Sequence, residues 1–69
     1  MIAQEAYHMS ELDEVLGPLN AIEEYEGGIV ALIGKIPVYL PSELTVKLQG
    51  LIGRRVGVLR IEGYRVRAF

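Results

Sequence analysis

The sequence predicts a small α+β domain: a mostly-β, barrel-like fold with a β-β-α-β-β core and a short N-terminal helix. Three observations predict it. Two β-branched runs, Ile29 to Ile33 and Ile36 to Leu40, flank a Gly34-Lys35 break and read as a hairpin. A leucine stripe at Leu44, Leu48 and Leu51 follows Ser42 and reads as a short helix. A second pair of alternating runs, Arg55 to Ile61 and Tyr64 to Phe69, flanks Glu62-Gly63.

Taken in order, Ser10 precedes Glu11, Leu12 and Asp13, which places a hydroxyl cap and carboxylates where a helix N-terminus favours them. Leu12, Val15, Leu16 and Leu19 then recur at helical spacing, and Gly17-Pro18 ends the element. Residues 19 to 26 fit a helix carrying Leu19, Ile22 and Tyr25, or a charged edge strand from Ala21 to Glu26; the strand is the preferred assignment. Pro37 lacks an amide hydrogen and puts its strand at an edge or a bulge. Ser42 is the expected cap of the second helix, and Gly50 the expected left-handed residue beyond it, with Val46 and Leu51 in contact. The organisation expected is one domain, 1-69, with an acidic helical extension over 1-18 and a β-rich core over 19-69.

The charges are sorted along the chain. Residues 1 to 34 carry seven carboxylates and no Lys or Arg; the remainder carries all seven cations against Glu43 and Glu62. The front is therefore −7 and the back +5, hidden within a net −2. Such a chain neutralises its basic half with its acidic half, in cis or in trans, or leaves the basic half for an outside anion. The chain has 69 residues and no cysteine, so its core is small and disulfides are excluded; self-association as a dimer is expected. Met1 to Tyr7 lacks the positive charge of a signal peptide, and the apolar stretch 29 to 40 is too short to span a bilayer. A cytoplasmic protein without a membrane partner is the expectation.

The second hairpin concentrates the cations. With Glu62 and Gly63 as a two-residue loop, Ile61, Leu59 and Gly57 pair with Tyr64, Val66 and Ala68 and form the buried face. The other face then opposes Arg60 to Arg65, Val58 to Arg67 and Val56 to Phe69. Opposed like charges are unfavourable by about 0.2 to 1 kcal/mol, so an anion is expected there: a phosphate backbone, a partner's carboxylates, or Glu23, Glu24 and Glu26 of this chain. The candidate anion- or nucleic-acid-binding residues are Lys35, Lys47, Arg54, Arg55, Arg60, Arg65 and Arg67.

Over residues 34 to 66, Gly34-Lys35, Leu40-Pro41, Leu44 with Leu48, Gly53 with Val56, and Gly63 fall in an order that resembles the swapped-hairpin AbrB type of DNA-binding domain. Arg54 stands where that family usually has an acidic residue. The resemblance implies an intertwined dimer with Lys35 and Lys47 facing DNA. With residues 19 to 26 as a strand, the same order also resembles an OB-like barrel, in which Tyr25 and Tyr39 are the candidate stacking platforms.

Catalytic and metal chemistry are not expected. His8 is the single histidine; its trio with Ser10 and Asp13 would sit on an exposed turn, and no His-x-x-x-His or Asp-x-Asp spacing occurs. Glu23 and Glu24 are consecutive strand residues and point to opposite faces. Gly27-Gly28 lacks a phosphate-loop pattern, and no cofactor or small-molecule substrate is evident. The expected function is a small nucleic-acid-binding regulatory module. The alternative is a non-catalytic assembly subunit in which acidic and basic halves of different chains meet.

Overall fold

The computed structural model of the protein describes residues 6 to 69. Six strands form one curled sheet: β1 (Tyr7–His8), β2 (Glu14–Tyr25), β3 (Gly28–Ile33), β4 (Ile36–Pro41), β5 (Arg55–Arg60) and β6 (Tyr64–Ala68). Between β4 and β5 lie a 3-10 turn, Ser42–Leu44, and the helix α1, Thr45–Gln49. The strand order across the sheet is β1-β4-β3-β2-β5-β6, with β1 parallel to β4 and every other pair antiparallel. The sheet curls into a half-barrel around one core.

β2 makes the curl. Its first half pairs with β5, from Glu14 opposite Leu59 to Pro18 opposite Arg55, and its second half pairs with β3, from Leu19 opposite Ile33 to Tyr25 opposite Gly28. The register slips between Leu19 and Ala21, so Asn20 is the extra residue that bends the strand from one partner to the other. The bend is pinned locally. Asn20 Nδ2 donates to Gly34 O at 2.9 Å, and Gly34 N donates to Pro18 O at 2.7 Å. A Cβ at Gly17 would lie 3.3 Å from Gly34 N, so the Gly34-Lys35 turn seats closely only on glycine. Pro18 loses no ladder bond here. In extended backbone a residue's N–H and C=O point the same way, and on that side Pro18 meets only the turn beyond the end of β3.

The helix expected over residues 10 to 17 is corrected to a turn, with Leu12 at φ 73°, followed by strand from Glu14. Val15, Gly17 and Leu19 are buried while Glu14, Leu16, Pro18 and Asn20 are exposed, which is a period of two. Val15 and Leu19 stand four apart and satisfy both periods. Leu12 and Leu16 decide between them, and they are 68 % and 53 % exposed. The boundary expected at residue 18 therefore falls inside β2. The preferred strand at 21 to 26 is present as the end of β2, closing through Glu26 (φ 45°) and Gly27 (φ 82°) onto β3.

The β3-β4 hairpin has the expected limits and turn. The helical segment has the expected inner face: Leu48 is fully buried, and Leu44 and Leu51 pack against the core. Its ends differ from expectation. Pro41 occupies the cap position with no side-chain cap bond, and Gly50 is right-handed at φ −72°. Four further residues wind from Gly50 to Gly53 before β5 begins, so the left-handed glycine is Gly53 (φ 91°). Val46 is 83 % exposed and does not serve as Leu51's contact.

The register of β5 and β6 is also corrected. Arg60 pairs with Tyr64, Leu59 with Arg65, Val58 with Val66, Gly57 with Arg67 and Val56 with Ala68. The loop is Ile61-Glu62-Gly63, one residue longer than expected, and this slip reverses every β5 side chain. Burial explains the choice. Val56 and Val58 enter the core fully buried beside Val66, whereas Gly57 would have left a gap there. Gly57 faces outward instead, where a Cβ would stand 2.6 Å from Leu16 Cδ2 and 3.1 Å from Phe69 Cε2.

Candidate functional site

The fold divides the seven candidate cations into two groups and two single residues. Arg55 and Leu59 share the outward face of β5 with Gly57, and across from them stand Arg65, Arg67 and Phe69 of the last strand. Arg55, Arg65, Arg67 and Phe69 are exposed, Phe69 by 57 %. From β2 the same face receives Leu16, opposite Gly57, and Glu14, opposite Leu59. The result is a basic and apolar surface: Leu16 and Phe69 close over Gly57, and the Arg67 guanidinium lies 5.6 Å from the Phe69 ring centroid.

Lys35 and Arg54 form a second group at the bend of β2. The Gly34-Lys35 turn is bonded to Pro18, and Arg54 O accepts from Leu19 N at 2.8 Å. Pro18 is opposite Arg55, so this end of the half-barrel is continuous with the arginine face. Lys47 is exposed on α1. Glu23, Glu24 and Glu26 lie at the other end, beside β3, and are not the counter-charge of Arg65 and Arg67.

Arg60 belongs to neither group. The expected opposition of Arg60 and Arg65 is corrected: Arg65 faces Leu59, and Arg60 turns to the inner side beside Tyr64. There its guanidinium lies 5.3 Å from the Tyr64 ring centroid and Nη1 donates to the Met9 carbonyl. The backbone of Arg60 donates to Asp13 O at 2.9 Å and accepts from Leu12 N at 2.6 Å. Arg60 is thus the clasp that holds residues 9 to 13 over the core, where Met9 is 2 % exposed. Arg60→Ala should therefore cost about 1 to 3 kcal/mol by orphaning the Met9 carbonyl, read from urea unfolding. It should leave the outward arginine face intact.

Asp13 completes the clasp. Its Oδ2 accepts from the Tyr7 hydroxyl and from Ser10 N at 2.8 Å. The Tyr7 hydrogen bond, the Ser10 amide and the charge of Arg60 hold the Asp13 carboxyl below its ordinary 3.8, and the same bond raises Tyr7 above its ordinary 10.0. A depressed carboxylate stabilises above its unfolded value and loses that effect as pH falls; a raised phenol stabilises below its unfolded value and loses it as pH rises. The clasp should thus be fully formed between about pH 4 and pH 10 and loosen outside it. Amide exchange at Leu12 and Arg60 checks this, and Asp13→Asn should remove the acid limb.

The aromatic side chains gather elsewhere. Tyr39 stacks with His8 at 5.1 Å between ring centroids and meets Tyr25 edge-on at 6.4 Å, on the outward face of β4 and β3 above Gly28. His8 is therefore turned away from Ser10 and Asp13, and that trio is not assembled. A half-open cleft of about 320 Å³ between the 3-10 turn and the β5-β6 loop is lined by Pro41, Glu43, Leu44, Gly63 and Tyr64, with one carboxylate among them. Among the described residues no three His, Asp or Glu side chains converge as a metal site, and no helix is long and apolar enough to cross a membrane.

Sequence reasoning placed Phe69 on the arginine face but missed Leu16. The alternation from Glu14 to Asn20 carried the signal for Leu16, since a strand that buries Val15, Gly17 and Leu19 must expose it. No protein-family model, curated protein or solved structure matches the chain.

Proposed function

We propose that the protein is a small non-catalytic nucleic-acid-binding module, with the outward face of β5 and β6 as its contact surface. The observation that carries this reading is the grouping of Arg55, Arg65 and Arg67 around the exposed Phe69 and Leu16. Arginine offers planar, bidentate donors to phosphate, and an exposed ring beside it offers a stacking surface to a base. Lys35 and Arg54 extend the positive surface past the bend of β2. The bent strand β2 shared by two halves, with a helix before the final hairpin, supports the OB-like reading of the barrel, and Tyr25, Tyr39 and His8 then form a second, separate platform on β3 and β4.

The net charge of −2 is compatible with this because Glu23, Glu24 and Glu26 are placed apart from the arginine face, where Glu14 at the β2 margin faces three arginines. That separation also supports the alternative, an assembly subunit whose Glu23-Glu26 end meets the basic end of another copy. Binding of single-stranded and duplex oligonucleotides across a salt series tests the two. Phosphate neutralisation makes log affinity fall linearly with log salt. Absence of binding at low salt, together with self-association that salt abolishes, would favour the assembly subunit.

A further inference from the structure

We infer that two copies of the protein pair antiparallel along their β6 strands when nucleic acid is bound, so that Arg65 and Arg67 of both copies form one phosphate-binding row. This rests on the nucleic-acid reading above and deepens it: the site is incomplete in one chain. Among the described residues, the backbone bonding identifies the free edge. Arg60 directs its N–H and C=O to Asp13 and Leu12, on the β2 side, while Arg55 O accepts from Phe69 N at 2.9 Å on the other side. Alternation along β5 then turns Arg55, Gly57 and Leu59 toward the last strand, where their partners are Phe69, Arg67 and Arg65. The N–H and C=O groups of Tyr64, Val66 and Ala68 are left directed outward from the last strand of the sheet.

That edge is self-complementary. Centred on Val66, an antiparallel pair sets Val66 against its own copy and Tyr64 against Ala68, so all the outward-directed groups are bonded. The same register sets Arg65 of each copy against Arg67 of the other, on the outward face. Close opposition of like charges disfavours the pair, and arginine on an open edge ordinarily keeps strands apart. A phosphate chain running across the four guanidinium groups removes the opposition. Nucleic acid is thus the counter-ion that licenses the pairing, and the occupant of the edge is a second copy because a self-matched register satisfies every free group.

Sedimentation with and without an oligothymidylate of about twelve nucleotides tests this. The free protein should be monomeric at 7.7 kDa, and the complex should contain two chains. Ala68→Pro removes an outward N–H without touching a bond to β5; it should give a one-chain complex with affinity lower by about tenfold or more. Arg67→Glu converts each opposition into an ion pair with Arg65, and it should dimerise at low salt without any oligonucleotide. If the oligonucleotide binds but the complex holds one chain, the paired edge is overturned and the nucleic-acid reading stands. If nothing binds, that reading itself fails. If Arg67→Glu remains monomeric, the register centred on Val66 is wrong.

Discussion

Leu19→Ala is expected to destabilise the protein by about 2 to 5 kcal/mol, while Leu16→Ala, three residues earlier, is expected to change stability by less than about 1 kcal/mol. Leu19 is fully buried at the bend of β2 and Leu16 is 53 % exposed. The loss at Leu19 combines the transfer of its buried methyl and methylene groups with a cavity that the pinned corner closes poorly, because Gly34, Gly53 and Arg54 are all bonded to the backbone of Pro18 and Leu19. A domain of 69 residues has a total stability of roughly 3 to 10 kcal/mol, so the variant is expected to lie near its unfolding midpoint at room temperature. Urea titration of both variants checks the pair. A docked helix would make the two losses comparable, since both leucines would lie on its apolar stripe.

The largest functional effect is expected from Arg65→Ala combined with Arg67→Ala. Both side chains are exposed and outward, so the fold should tolerate the change with a shift of about 0.5 kcal/mol or less. Binding to single-stranded nucleic acid should weaken at every salt concentration. The slope of log affinity against log salt should fall in magnitude by about 1.4, as each chain then neutralises two fewer phosphates. Arg60→Ala supplies the contrast: lower stability, with an unchanged slope for the fraction that is folded. If the double variant binds as the parent does, the arginine face is not the contact surface.

Much of the architecture was legible because local and long-range preferences agree. The β3-β4 hairpin has β-branched runs and a glycine at its turn, and the inner face of α1 is marked by three leucines. Two elements were not legible, for physical reasons that can be named. Val15 and Leu19 fit a helical stripe and a strand equally well, and β2 is decided by β5, some forty residues away in the chain. The β5-β6 register turned on one residue in the loop, and β6 alternates correctly in either register. What chooses is the demand of the core for Val56 and Val58 over Gly57 and Leu59. The cations could thus be named from the sequence, but their grouping could not: Arg60 leaves the face, and Arg55 and Leu16 join Arg65, Arg67 and Phe69 there.

The strand that bends at Asn20 also sets the order in which this protein can be made. Val15 and its neighbours have no partner until residues 55 to 60 have left the ribosome, and Met9 has no clasp until Arg60 has done so. Pairings so distant in sequence close slowly. During synthesis the β3-β4 hairpin can form at once, together with the second half of β2, while the first half waits as an apolar segment interrupted by Gly17-Pro18. The proline and the carboxylates of Glu11, Asp13 and Glu14 around that segment are the features that resist its pairing with other nascent chains in the interval. The acidity of the front half thus has a use before any ligand is met.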